Sequence, residues 1–90
     1  MIKHINIHVY GTVQGVGFRR AATNQARYLG IKGYVKNEID GSVYIEAEGD
    51  ATAVSQFVIW CRKGPTFSQV EKVETVEGKV MNYYSFDSKY

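Results

Sequence analysis

Cysteine, proline and excess charge are all scarce in this sequence, and it contains no long apolar run. With Cys61 as the single cysteine, an internal disulfide is excluded, and so is a zinc site of the usual several-cysteine kind. That scarcity fits a reducing compartment. No stretch approaches the roughly 20 apolar residues of a membrane-spanning helix. The opening MIKHINIHVY is too polar and too alternating for a signal peptide, so a soluble, cytoplasmic protein without a membrane partner is expected. Eleven Lys and Arg against nine Asp and Glu leave a formal charge of +2, too little to argue for nucleic acid. This balance mildly favours small anionic ligands. Repeats and low-complexity segments are missing as well.

What is present is ordinary for a globular chain: 44% hydrophobic, 13% aromatic and 22% charged residues, which argues against disorder. Ninety residues make a single domain, 1–90. A chain of that size buries only about 60–65% of its unfolded surface, so its stability is expected to be modest.

Ile5, Ile7 and Val9 alternate with His4, Asn6, His8 and Tyr10, which predicts a strand with one buried face. Gly11, Gly15 and Gly17 break that pattern. From Phe18 the apolar spacing turns helical, through Ala22, Ala26 and Leu29, and Gly30 closes the helix. Gly33 to Asn37 reads as a second strand, and Ile39-Asp40-Gly41 as a hairpin turn into a third, with Val43, Ile45 and Ala47 facing inward. Asp50 is placed to cap a second helix whose inner face is Val54, Phe57, Val58 and Cys61, stopped by Gly64-Pro65. Val70, Val73 and Val76 fall three apart, which fits neither period; their β-branched character favours a strand with a bulge near its start. Tyr84 and Phe86 suggest a last short strand. The order predicts an α+β, ferredoxin-like βαββαβ sandwich: an antiparallel sheet, two helices on one face, and a short extra C-terminal strand. That plan carries many unrelated functions.

The segment that carries chemistry is Gly11-Thr12-Val13-Gln14-Gly15-Val16-Gly17-Phe18-Arg19, between the first strand and the first helix. Glycines let the backbone curl so that successive N–H groups face one concavity, and the helix start adds unpaired N–H groups and a positive dipole end. Such a place suits phosphate. Arg19 in the first turn could add a two-pronged donor. The loop is not a Walker A loop, which ends Gly-Lys-Ser/Thr, nor a dinucleotide fingerprint, which needs glycine where Arg20 stands. On the residues alone it reads equally well as a chain-reversing turn followed by a solvated arginine. Asn37 alone reads as a turn-entry residue bonding its own backbone.

Two separated motifs bear a family resemblance. Residues 11–19 resemble the acylphosphatase signature Gly-x-Val-Gln-Gly-Val-x-Phe-Arg. Gly33-Tyr34-Val35-Lys36-Asn37, followed by Asp40-Gly41-Ser42-Val43, resembles the family's second signature at matching spacing. Ala47-Glu48-Gly49, Phe57 to Trp60, Gly64-Pro65 and Val70-Glu71-Lys72-Val73 extend the resemblance from about Ile5 to Phe86. Ala21, Ala22 and Tyr34 depart from residues frequent in the family. The resemblance implies hydrolysis of acyl phosphates to a carboxylate and inorganic phosphate, with no metal or other cofactor. It implies that backbone N–H groups of Gln14, Gly15, Val16, Gly17 and Phe18 hold the phosphate together with Arg19, and that Asn37 holds the attacking water. Phosphate is then product and competitive inhibitor, and a monomer is expected.

The residue types suit that reaction. An acyl phosphate leaves as a carboxylate, whose acid has a pKa of about 4, so no strong general acid is needed. A phosphate monoester leaves as an alkoxide and does need one. An amide such as that of Asn37 is not basic but can orient water, and phosphoryl transfer rests mostly on positioning and charge stabilisation. The rival expectation is a non-catalytic module that uses the cradle to sense phosphate; it has no need of a water-orienting group.

Other features are read as structural. His4 and His8 would stand about 13 Å apart on one strand face, too far to chelate one ion, and are expected to be exposed or partly exposed. Arg20, Lys32, Lys36, Lys63, Lys72 and Lys79, interspersed with Glu46, Glu48, Glu71 and Glu74, read as a solvated mixed surface. Cys61 reads as a small core residue. Tyr10, Tyr44, Tyr83 and Tyr84 could suggest base stacking, but the third strand lacks the Gly-aromatic-Gly-Phe pattern of RNA-recognition modules and carries acids.

Overall fold

The computed structural model describes all 90 residues. Seven elements follow in order: β1 (Ile2–Thr12), α1 (Phe18–Tyr28), β2 (Lys32–Asn37), β3 (Val43–Asp50), α2 (Ala51–Lys63), β4 (Gln69–Gly78) and β5 (Phe86–Lys89). The strands form one sheet in the order β4-β1-β3-β2-β5. Its first four members pair antiparallel, as the ferredoxin-like plan requires, and β5 joins β2 in parallel, making the sheet mixed.

Alternation sets the two faces. Ile7 lies opposite Ile45, and Ile45 opposite Val35, so three fully buried side chains cross the sheet in one row. Both helices cover that row. α1 presents Phe18, Ala22 and Ala26, and α2 presents Val54, Phe57 and Cys61. The alanines let α1 lie close over β2 and β5, while α2 packs on β1, β3 and β4. Asp50 caps α2 by accepting from the Thr52 N–H at 3.3 Å. Burial pushes the Cys61 thiol far above its ordinary range, which leaves it an inert core residue as expected.

The irregular valine spacing has a local cause. Tyr10 pairs with Lys72 and Gly11 with Val70, so Glu71 is an extra residue and the bulge lies near the start of β4. Val70 and Val73 both reach the core, whereas Val76, opposite Asn6, faces away and is exposed.

The sheet face without helices departs most from expectation. Between β4 on one edge and β5 on the other, the chain must cross the sheet, and residues 79–85 do so over this face. Tyr84, expected in the last strand, lies in that crossing and is almost fully exposed. The strap buries what it covers. His4 is 3% exposed rather than open to solvent, its Nδ1 lying 2.8 Å from Glu48 and its Nε2 2.9 Å from the Asn6 side-chain oxygen. Glu48, expected in a solvated surface, is 4% exposed and accepts the backbone N–H groups of Met81 and Tyr83. Glu46 is also largely covered, and it accepts hydroxyls from Tyr34, Tyr44 and Tyr83 at 2.7–3.0 Å. These tyrosines are therefore ligands of a carboxylate rather than a stacking platform. Their hydroxyls stay protonated: burial first and Glu46 second push Tyr34 up to about 12. Glu71 and Glu74 remain exposed, as read.

Candidate active site

The site forms where β1 hands over to α1. Val13 and Phe18 are each 1% exposed and pin the two ends of the loop into the core, Phe18 against the Trp60 ring at 5.5 Å. Between them Gly15 (φ 75°) and Gly17 (φ 78°) adopt left-handed backbone, which side chains other than glycine adopt at a cost. This alternation turns the backbone into an open curl at the start of α1. Gly17 is the N-cap of that helix and supplies no side chain to it. The first intrahelical bond runs from Ala21 N–H to Gly17 C=O at 3.0 Å. The N–H groups of the first turn thus keep their donor capacity for a ligand.

Gln14 and Val16 play a different part. The Gln14 side-chain amide donates to the carbonyls of Glu38 at 2.8 Å and Ser42 at 2.9 Å, which stitches the loop to the β2–β3 hairpin. The Val16 side chain packs against the core. Neither side chain faces the cavity beside the loop, whereas Gly15, Gly17, Phe18, Arg19 and Asn37 all line it. Arg19 and Asn37, eighteen positions apart in sequence, are thus brought to one cavity of about 480 Å³.

Asn37 ends β2 just before the hairpin turn, which closes from Gly41 N–H to Glu38 C=O at 3.2 Å. The side-chain bonding of that turn belongs to Asp40, which accepts from the Ser42 hydroxyl at 2.6 Å and from its N–H at 2.9 Å. Those two bonds hold the Asp40 carboxyl below its ordinary range. Asn37 is therefore not the residue that shapes the turn, and it borders the cavity.

Arg19 is held from the far end of the chain. Its Nη1 donates to the Lys89 carbonyl at 2.9 Å, and its guanidinium lies over the Tyr90 ring, 4.9 Å from the centroid. Arg27 donates through Nε and Nη2 to the Phe86 carbonyl at 3.2 and 3.0 Å. β5 is thereby latched to α1 at two points.

Sequence reasoning missed the rest of the lining: Arg20, Thr23, Asn24 and Arg27 from α1, with Ser88 and Tyr90 from the C-terminal end. The α1 residues follow the spacing i, i+3, i+4, i+7, a polar row legible beside the apolar one. Ser88 and Tyr90 carry no such local signal, because their place depends on β5 pairing with β2. The lining holds three arginines and no Asp, Glu or His side chain.

The fold and cavity together define a small α+β sandwich with an arginine-lined cavity at a helix N-terminus. A family model for acylphosphatase matches residues 5–88, and the chain belongs to the acylphosphatase family. An acylphosphatase of Archaeoglobus fulgidus is 45% identical over 86 residues, covering 96% of this chain and 97% of that one. Another, of Ligilactobacillus salivarius, is 45% identical over 91 residues, covering 99% and 100%. The crystal structure of acylphosphatase from Bacillus subtilis superposes with a TM-score of 0.95 at 36% identity, with each chain fully covered. No helix is long and apolar enough to cross a membrane.

Proposed function

We propose that this protein hydrolyses the carboxyl–phosphate bond of acyl phosphates, releasing a carboxylate and inorganic phosphate. The observation that carries the proposal is the meeting of Arg19, Asn37 and the uncapped N-terminus of α1 in a cavity lined by no Asp, Glu or His side chain. Membership of the acylphosphatase family supports it.

In this reading the phosphoryl oxygens accept N–H groups of the loop Gln14 to Phe18 and the guanidinium of Arg19. Asn37 orients a water on the face opposite the acyl group. The water oxygen bonds to phosphorus as the phosphorus–acyl oxygen bond breaks, and the electron pair leaves on the carboxylate. Because that carboxylate is the base of an acid with a pKa of about 4, it departs unprotonated. The water's protons pass to phosphate oxygen. Preorganised donors stabilise charge spreading over the phosphoryl oxygens, which is the main demand of such a transfer. The loop, arginine and asparagine meet that demand without metal or covalent intermediate.

The test is release of benzoate and phosphate from benzoyl phosphate with chelator present, and p-nitrophenyl phosphate as control. Fast cleavage of the anhydride alone is expected, with inorganic phosphate inhibiting competitively. Arg19→Ala should weaken that inhibition about tenfold, the worth of one hydrogen bond to a charged group, and lower turnover as well. A folded protein that binds phosphate but cleaves nothing would instead be a phosphate sensor.

A further inference from the structure

The cavity is larger, longer and more cationic than one phosphate requires. Its three arginines are not equivalent. Arg19 borders the glycine loop, and two of Arg27's nitrogens are occupied by the Phe86 carbonyl. Arg20 is exposed, borders the same cavity and is engaged by no group of the protein. No Asp or Glu side chain lines the cavity. From Arg20 the wall runs through Thr23 and Asn24 to Arg27, about two helical turns or 10 Å. Ser88 and Tyr90 line the same space from β5 and the chain end. A phosphate seated at the helix start leaves this groove for the rest of the substrate, and its wall offers cations and amides.

We infer that the groove is an acyl-group subsite, and that Arg20 makes it select acyl phosphates whose acyl part carries a second anionic group. This rests on the hydrolytic reading above and adds to it the substrate's other end. Arg20 donates to the distal anion from a planar fork. Asn24, one turn along, and the free Nη1 of Arg27 complete a polar wall of donors. A general cationic field would also favour a more highly charged substrate, but it would respond to the loss of any nearby cation. A subsite responds to Arg20 in particular.

The experiment compares 4-carboxybenzoyl phosphate with 4-methylbenzoyl phosphate, which share a rigid ring and differ in the distal charge. Their ratio of kcat/KM is measured for the natural sequence, Arg20→Gln and Lys89→Gln. Lys89 is a neighbouring cation whose ammonium sits over the Tyr34 ring, 4.2 Å from its centroid and away from the groove. The natural sequence should prefer the carboxylated substrate about tenfold. Arg20→Gln should bring the ratio close to one, and Lys89→Gln should leave it as it was. A ratio near one in the natural sequence, a ratio untouched by Arg20→Gln, or an equal loss in both variants overturns the inference. Failure to cleave either substrate would overturn the hydrolytic reading itself, a result separable from cleavage of both without preference.

Discussion

Asn37→Ala should lower kcat on benzoyl phosphate by about 10²-fold or more, while competitive inhibition by phosphate changes little. The split follows from what each group does. In the proposed mechanism Arg19 and the loop hold an anion that is present in substrate, transition state and product alike. An amide that orients water acts only as the new bond forms, so its loss falls on turnover. Asn37 is suited to that role because the turn beside it does not depend on it. Asp40 and Ser42 close the hairpin, and Gln14 ties the hairpin to the loop. The variant should therefore fold normally, which circular dichroism and the urea midpoint will check. Unchanged kinetics in folded Asn37→Ala would remove the residue from the mechanism.

Glu48→Ala should cost about 3 kcal/mol or more of stability, read from urea unfolding. The change strands a buried His4 ring and leaves the N–H groups of Met81 and Tyr83 without their acceptor. Those N–H groups dock the strap, and the strap leads directly into β5, whose Lys89 carbonyl holds Arg19. The same substitution should therefore raise KM for acyl phosphate even where the protein remains folded. Unaltered stability would mean that the strap is held by its tyrosines alone.

Acid should act on the same network. For Glu48 and Glu46 burial is the largest single influence and raises the pKa, but the hydrogen bonds together outweigh it. Glu48 is held down by the Met81 and Tyr83 N–H groups and by His4, and Glu46 by three tyrosine hydroxyls and His4. Both therefore titrate lower in the folded protein than in the unfolded chain. Their stabilisation is complete above the unfolded carboxylate value of about 4.3 and is lost as pH falls through the folded values. The urea midpoint should drop between about pH 5 and pH 3, and less steeply in Glu48→Ala than in the natural sequence.

Much of this was legible in the residues. Element order, the glycine loop, the Asp50 cap and the bulge near the start of β4 all follow from signals a few residues long. Arg19 and Asn37 were legible through their motifs, and the structure brings them to one cavity. The polar row from Arg20 to Arg27 was visible as a helical pattern, but nothing local says that it borders a cavity rather than solvent. His4, Glu46 and Glu48 were misjudged for a related reason. Polar alternation along β1 and β3 marks the face that does not meet the helices, and such a face is ordinarily wet.

By itself, then, the sequence determined which segments become strands and helices, where glycines let the chain curl ahead of α1, and which residue types border that curl. These are properties of neighbours, set by side-chain period, glycine's backbone freedom and capping chemistry. Only the tertiary structure decided what covers the open face and what completes the cavity. Placing β4 and β5 on opposite edges forces the chain across the sheet. That crossing buries the His4–Glu48 pair, whose members are 44 positions apart, and brings the Lys89 carbonyl to Arg19 from 70 positions away. Contacts of that separation depend on strand order and register, which no short window of residues contains.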